Sequence, residues 1–353
     1  MTKPFDLDEL DDPPRRPPVS SNDLDGAAND WNDAYLRGLE KIRLADAPWS
    51  TRADDYREGP PPLKPVSLQE LLEMELKARE SILDGLLHDR SVIMAFAWRG
   101  VGKTWFALGA SYAISTGGTF LRWKAAKGRR VLYIDGEMPA IGLRERMEPI
   151  VAASNGKLPE EGYFRFLPAD LHELGLPNLA TEEGQAAVDK IIGDAEVVVF
   201  DNVSTLFISG RENDAESWLP VQAWLLKLRR AGKAVLIVHH AGKGKAQRGT
   251  SRREDILDVV LNLRSPSDYE PSQGARFLVH FEKARGLNGK ETEPFEAKLE
   301  TRDGKAVWSM QSLEEAERTE IIDLQKEGKS VREIAKELGM SKSAVQRALA
   351  KGK

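Results

Sequence analysis

Eight consecutive residues, Ala97-Trp98-Arg99-Gly100-Val101-Gly102-Lys103-Thr104, are of types and spacing that can do chemistry together. A short apolar run, Val92 to Phe96, leads into them and a helical pattern follows. A strand that turns tightly into a helix aims several backbone N–H groups and the positive end of the helix dipole at one point, where polyphosphate can sit. Lys103 would reach the β- and γ-phosphates, and the Thr104 hydroxyl would hold Mg2+. The pattern departs from G-x-x-x-x-G-K-[ST] at Ala97, which stands in place of the first glycine. Alanine has less backbone freedom than glycine, so the loop must start from an ordinary φ.

Two further apolar runs end in acids. Val197 to Asp201 reads as a buried strand that presents a carboxylate to Mg2+ and its water, although a strand-end Asp is also common as a cap. Asn202, Ser204 and Thr205 follow and could orient water. Val131 to Asp135 continues into Gly136-Glu137-Met138-Pro139. A carboxylate just past that strand end can orient and deprotonate an attacking water. Glu137 is the candidate, with a helix N-terminal charge before Pro139 as the plainer role.

Leu236 to His240 ends a third apolar strand in two imidazoles. A polar group there can contact the γ-phosphate and report its loss, and His239 is preferred. Adjacent side chains on an extended chain point in opposite directions, which weakens the rival reading as a metal pair. Next comes Gly242 to Arg253, glycine-rich and strongly basic, where Lys243, Lys245 and Arg248 suit phosphate backbones. A solvated loop is the alternative. The strand candidate Arg276 to Lys283 places Lys283 and Arg285 on one face at the edge of the sheet, where they could enter a neighbouring subunit's phosphate site; an exposed cationic strand end is the plainer alternative, and taken alone the pair favours it.

The elements that must position these groups form a regular alternation. Strand candidates are Ser91–Phe96, Arg130–Asp135, Tyr163–Leu167, Val197–Asp201, Ala234–His239, Ile256–Leu263 and Arg276–Lys283. Helices are expected near Lys103, Ala140, Thr181 and Glu216. Such alternation predicts an α/β fold with a mainly parallel sheet flanked by helices. Val66 to Leu87 reads as a helix opened by Ser67 as cap, with Glu70 three residues on.

At 353 residues with 41% hydrophobic and 30% charged side chains, the chain can bury a full core. No apolar run is long enough to span a bilayer, and the N-terminus lacks an apolar signal region, so a cytoplasmic protein without membrane contact is expected. Zero cysteines exclude disulfides and thiolate metal sites. The net charge of −5 argues against a uniformly basic coat, but the charge is uneven: residues 1–65 are acidic and proline-rich, and the C-terminal end is basic. Residues 1–65 are expected to be largely disordered, with Trp31 to Leu44 as a short amphipathic helix that could dock on the body or on a replication partner.

Together the phosphate loop, Glu137, Asp201, His239, Arg248-Gly249-Thr250-Ser251 and Lys283-x-Arg285 resemble the RecA-like ATPases of the hexameric replicative helicase group, closest to the plasmid RepA-type helicases. The resemblance covers about Val66 to Glu300. It implies a RecA-like P-loop fold and ATP with Mg2+ as ligands. It also implies Glu137 as catalytic base, Asp201 on Mg2+ water, His239 as γ-phosphate sensor, and Lys283 and Arg285 acting in trans on the next protomer's ATP. The loop carrying Lys243 and Lys245 would line a central channel that tracks single-stranded DNA.

The tail reads as three helices, Leu313–Gln325, Val331–Leu338 and Ser341–Leu349, with Gly328 as a stop. Ala335, Gly339 and Val345 stand at helix-turn-helix intervals, resembling that of site-specific recombinases. The third helix would present Lys342, Ser343, Gln346 and Arg347 to a major groove; a helical protein-docking module is the alternative. Three parts are therefore expected: 1–65 acidic, 66–310 ATPase, and 311–353 a small all-α DNA-binding tail. The functional expectation is an ATP-driven DNA translocase or helicase for replication of a plasmid, phage or other mobile element, and the resemblance implies assembly as a hexameric ring. An ATP-switched DNA-binding regulator or a helicase loader is the other expectation.

Overall fold

The computed structural model describes residues 64–208, 218–242, 254–266, 268–338 and 340–350. The chain divides into two compact units, Met1–Met74 and Glu75–Lys353. In the first, a short helix α1 (Leu68–Glu73) starts at Ser67, whose side chain and that of Glu70 cap each other's backbone N–H groups. The expected helix from Val66 to Leu87 stops there. Beyond it the second unit opens with a hairpin, β1 (Ser81–Leu83) and β2 (Leu87–His88). Gly85 turns that hairpin at φ 78°, and Ile82, Leu83, Leu86 and Leu87 bury themselves in the core. Four apolar residues astride an Asp-Gly turn favour a hairpin once a core is there to receive them.

The body then alternates strands and helices. In order they are β3 (Val92–Ala97), α2 (Lys103–Thr116), β4 (Thr119–Phe120), β5 (Trp123–Lys124), β6 (Val131–Asp135), α3 (Ala140–Ala153) and β7 (Phe164–Pro168). There follow α4 (Glu182–Ile192), β8 (Val197–Asp201), α5 (Val203–Leu206), α6 (Leu219–Arg230) and β9 (Ala234–His240). The last strands are β10 (Val259–Arg264), β11 (Arg276–Ala284), β12 (Phe295–Arg302) and β13 (Lys305–Ser312). Nine of them make one sheet in the order β13-β12-β11-β10-β3-β9-β8-β6-β7. From β10 to β7 neighbouring strands are parallel, and β11, β12 and β13 add antiparallel ribbons on one side.

The inner parallel strands β3, β6, β8 and β9 are buried on both faces, which is why they read as nearly unbroken apolar runs rather than alternations. One face carries Ile93, Ala95, Tyr133, Val199 and Leu236 against α2 and α3. The other carries Met94, Phe96, Leu132, Phe200 and Ile237 against α4 and α6. The fold is of the expected α/β class, a mainly parallel sheet flanked by helices with a small all-α tail. That tail follows β13 without a linker: Ser312 caps α7 (Leu313–Lys326), and α8 (Val331–Glu337) and α9 (Lys342–Ala350) close a core of Ile321, Ile334, Ala335 and Val345.

Candidate nucleotide site and DNA-binding tail

β3 lies between β10 and β9, so the chain leaving Ala97 emerges mid-sheet at the C-terminal strand ends, where open α/β sheets bind ligands. Ala97 is still strand, paired in register with His240, so the missing glycine costs the loop nothing. Positive φ first occurs at Gly100 (80°) and Gly102 (114°). A Cβ on Gly102 would lie 2.7 Å from that of Ala275. Lys103 is buried at the start of α2, its ammonium donating to the carbonyls of Ala97 (3.3 Å) and Trp98 (3.1 Å). Burial pushes its pKa down to about 8, against the pull of Asp201 and Glu137.

Asp201 ends β8, one strand beyond β9, and is 4% exposed. Burial raises its pKa; its carboxylate accepts hydrogen bonds from the Tyr133 hydroxyl at 2.7 Å and from that of Thr104. Asp135, beside it at the end of β6, is also buried and is pushed up to about 7 by burial and by the neighbouring Asp201 charge. Glu137 stands just outside the strand end with a largely exposed side chain. Its carboxylate accepts from the Asn202 amide and lies 3.5 Å from Nε2 of His240.

Lys103, Thr104, Asp135, Glu137, Asp201 and His240 line one cleft of about 520 Å3, together with Arg146 on α3 and with Tyr269 and Ala275 between β10 and β11. Burial lowers the His240 pKa, with Lys103 adding to the effect, and the ring's Nδ1 is buried without a partner. The expectation for His239 is corrected by parity. His239 pairs with Phe96 and is wholly buried, outside the cleft lining, whereas His240 pairs with Ala97 and enters it. Both imidazoles are evident at the strand end in the sequence, but not which one shares a face with the phosphate loop. Asp135 and Arg146 were missed as cleft residues, and Tyr133 as the donor to Asp201; the strand-end acid at 135 was the one available sign.

The cleft fits a magnesium nucleotide by its own features: left-handed glycines that open backbone N–H groups, a lysine on loop carbonyls, and a hydroxyl on a buried carboxylate. Among the described residues no group of three or more His, Cys, Asp or Glu could hold a metal ion.

Lys283 and Arg285 are not at an edge of the sheet, because β12 and β13 lie outside β11. Ala284 between them pairs with Val259, and Val259 with Ile93 at the start of β3. They thus stand at the opposite end of the sheet from the phosphate loop, about 13 Å along the strands at about 3.3 Å per residue. The Lys283 ammonium donates to the Glu254 carbonyl, and the half-exposed Arg285 guanidinium is 3.8 Å from Asp258. In the tail, Lys342, Ser343, Gln346 and Arg347 all lie at least partly exposed on α9, and Val345 between them is buried. Ala335 is buried as expected. Gly339, Lys243, Lys245, Arg248 and the acidic segment 1–63 lie outside the described residues, as does the expected helix start at Glu216. Among the described residues no helix is long and apolar enough to cross a membrane.

Residues 57–246 match a family model described as an AAA domain, and residues 309–352 match one described as a helix-turn-helix domain. No curated protein matches. Among solved structures, a KaiC-like protein from the hyperthermophilic archaeon Pyrococcus horikoshii OT3 is similar at 17% identity and a TM-score of 0.47, over 65% of this chain and 93% of that one. The flagellar accessory protein FlaH from Methanocaldococcus jannaschii is similar at 14% identity and a TM-score of 0.44, over 63% of this chain and 91% of that one.

Proposed function

This chain belongs to the AAA domain family, and from that premise we propose that it is an ATP-driven DNA translocase or helicase that works as a ring of copies and is recruited to duplex DNA by its tail. The observation that carries the reading is the separation of two half-sites on one sheet. Lys103, Thr104, Asp201 and Glu137 gather at the C-terminal strand ends, while Lys283 and Arg285 stand at the other end, out of reach of the chain's own cleft. On this reading the cation pair completes a phosphate site in a neighbouring copy.

Under this reading, backbone N–H groups of the loop and the α2 N-terminus hold the phosphates, and Lys103 turns from the Ala97 and Trp98 carbonyls to the phosphate oxygens. Thr104 and Asp201 hold Mg2+, which when bound neutralises charge on the phosphates and polarises them. Glu137, held by Asn202 and near His240, accepts a proton from water. His240, touching both Glu137 and the cleft, registers the γ-phosphate. Arg285 of one protomer stabilises charge on the phosphoryl group in the next. On the tail, α9 presents Lys342, Ser343, Gln346 and Arg347 to a major groove, and the basic stretch with Lys243, Lys245 and Arg248 tracks single-stranded DNA.

The test is ATP-driven strand separation on a forked duplex, with Lys103→Ala as control and a protein ending at Ser312 alongside, so that β13 stays whole. Unwinding that needs Lys103 and survives loss of the tail supports the reading. ATP-dependent binding of duplex through the tail, with no unwinding and no stimulation of turnover by single-stranded DNA, overturns it in favour of a regulator or loader.

A further inference from the structure

The cleft holds one carboxylate to which the roles above give no task. Asp135 ends β6 directly beside Asp201 in the parallel register and is 1% exposed. Its Oδ1 accepts hydrogen bonds from the backbone N–H groups of Glu137 (2.8 Å) and Met138 (2.6 Å). Its Oδ2 is buried with no hydrogen-bond partner among the described residues, although the residue lines the same cleft as Thr104 and Asp201. Several donors of the cleft and its surroundings have partners of their own, and the Arg146 guanidinium lies over the Trp105 ring. The Tyr133 hydroxyl goes to Asp201, the Asn202 amide and the His240 ring face Glu137, and Lys103 lies on loop carbonyls.

A buried carboxylate oxygen without a donor is costly, and a second carboxylate beside it raises the cost. A cation or its water, arriving from the cleft, relieves both. We propose that Asp135 is a second carboxylate for the metal ion: one oxygen fixes the turn that carries Glu137, and the other accepts from a water of the Mg2+ that Thr104 and Asp201 hold. Mg2+ keeps several waters when it binds, so a carboxylate one strand away from the first has water to accept from. The turn and the metal site are then joined through a single side chain, and the general base is positioned by the residue that senses the ion. This inference rests on the ATPase reading of the cleft.

Asp135→Asn separates the two tasks. Its amide oxygen still accepts from Glu137 and Met138, while the other oxygen becomes an N–H2 donor that cannot accept from metal-bound water. The measurements are a Mg2+ titration of fluorescent ATP-analogue binding, Mn2+ binding by electron paramagnetic resonance, and a thermal melt. The expected result is a melt like wild type, with the Mg2+ needed for half-maximal nucleotide binding and the Mn2+ dissociation constant both raised about tenfold or more. Nucleotide affinity in chelator should not weaken. An Asn variant that folds and shows wild-type Mg2+ and Mn2+ dependence overturns the proposal and leaves Asp135 as a turn residue. If the Asn variant melts early, Asp135→Ser, which keeps one acceptor, decides by the same titration. A wild-type protein that binds no nucleotide at any Mg2+ concentration overturns the ATPase reading and this one with it; a silent Asn variant beside a normal wild type overturns this one alone.

Discussion

Lys103 is where burial and charge meet most directly. Burial holds its pKa at about 8, so the free ammonium begins to lose its proton in the mildly alkaline range. Polyphosphate binds the charged form, so nucleotide affinity should be level below pH 8 and fall as pH rises through it, by about tenfold per unit at most. Dissociation constants at pH 7, 8 and 9 check this, and a flat series contradicts it. In the proposed role Glu137 acts on water rather than on phosphate, so Glu137→Gln should lower kcat by about 10²–10⁴ while binding persists. A Glu137→Gln enzyme with wild-type kcat would return that side chain to a helix-terminal charge.

At the scale of elements, the loop and α2 stand or fall together. Phe106, one turn into α2, is wholly buried and meets Phe120, Trp123 and Phe277 edge-on at centroid distances of 5.3, 5.8 and 6.3 Å. Those rings come from the hairpin after α2 and from β11, so one side chain ties the phosphate helix to both. Phe106→Ala should cost about 3–5 kcal/mol of stability, measured by denaturant unfolding. Gly102 joins loop to helix at φ 114° with Ala275 pressed against it, so the cradle has room for no side chain there. The strand ends are equally local in their demands: the β6 and β8 termini place Asp135, Glu137, Asp201 and Asn202 side by side only because those strands pair in register.

Across the whole molecule, the sheet has a nucleotide end and a cation end. Arg285→Ala should abolish turnover while leaving nucleotide affinity nearly intact, and wild-type turnover per protomer should rise with protein concentration as copies associate. Loss of nucleotide binding in that variant would place Arg285 in its own chain's site and sink the trans role. The tail makes a separate prediction. Deleting residues 313–353 should remove duplex binding together with its steep salt dependence, which reflects displaced counterions, while nucleotide binding remains.

The phosphate loop, the strand-end acids and the three tail helices are legible in the sequence because they are local patterns, in which glycine placement, apolar runs and helical spacing speak for themselves within a few residues. The register-dependent facts are not legible there. A one-residue difference along a strand moves a side chain to the other face of the sheet, so His240 rather than His239 enters the cleft only because β9 pairs with β3 as it does. Asp135 reads as an ordinary strand end until β8 brings Asp201 beside it. Ser81 to His88 became a hairpin because the core had room for its four apolar residues, and Lys283 and Arg285 moved from an expected edge to the far end of an interior strand. The amino-acid order by itself determined which groups exist and in what succession; non-local strand pairing decided which of them face one another.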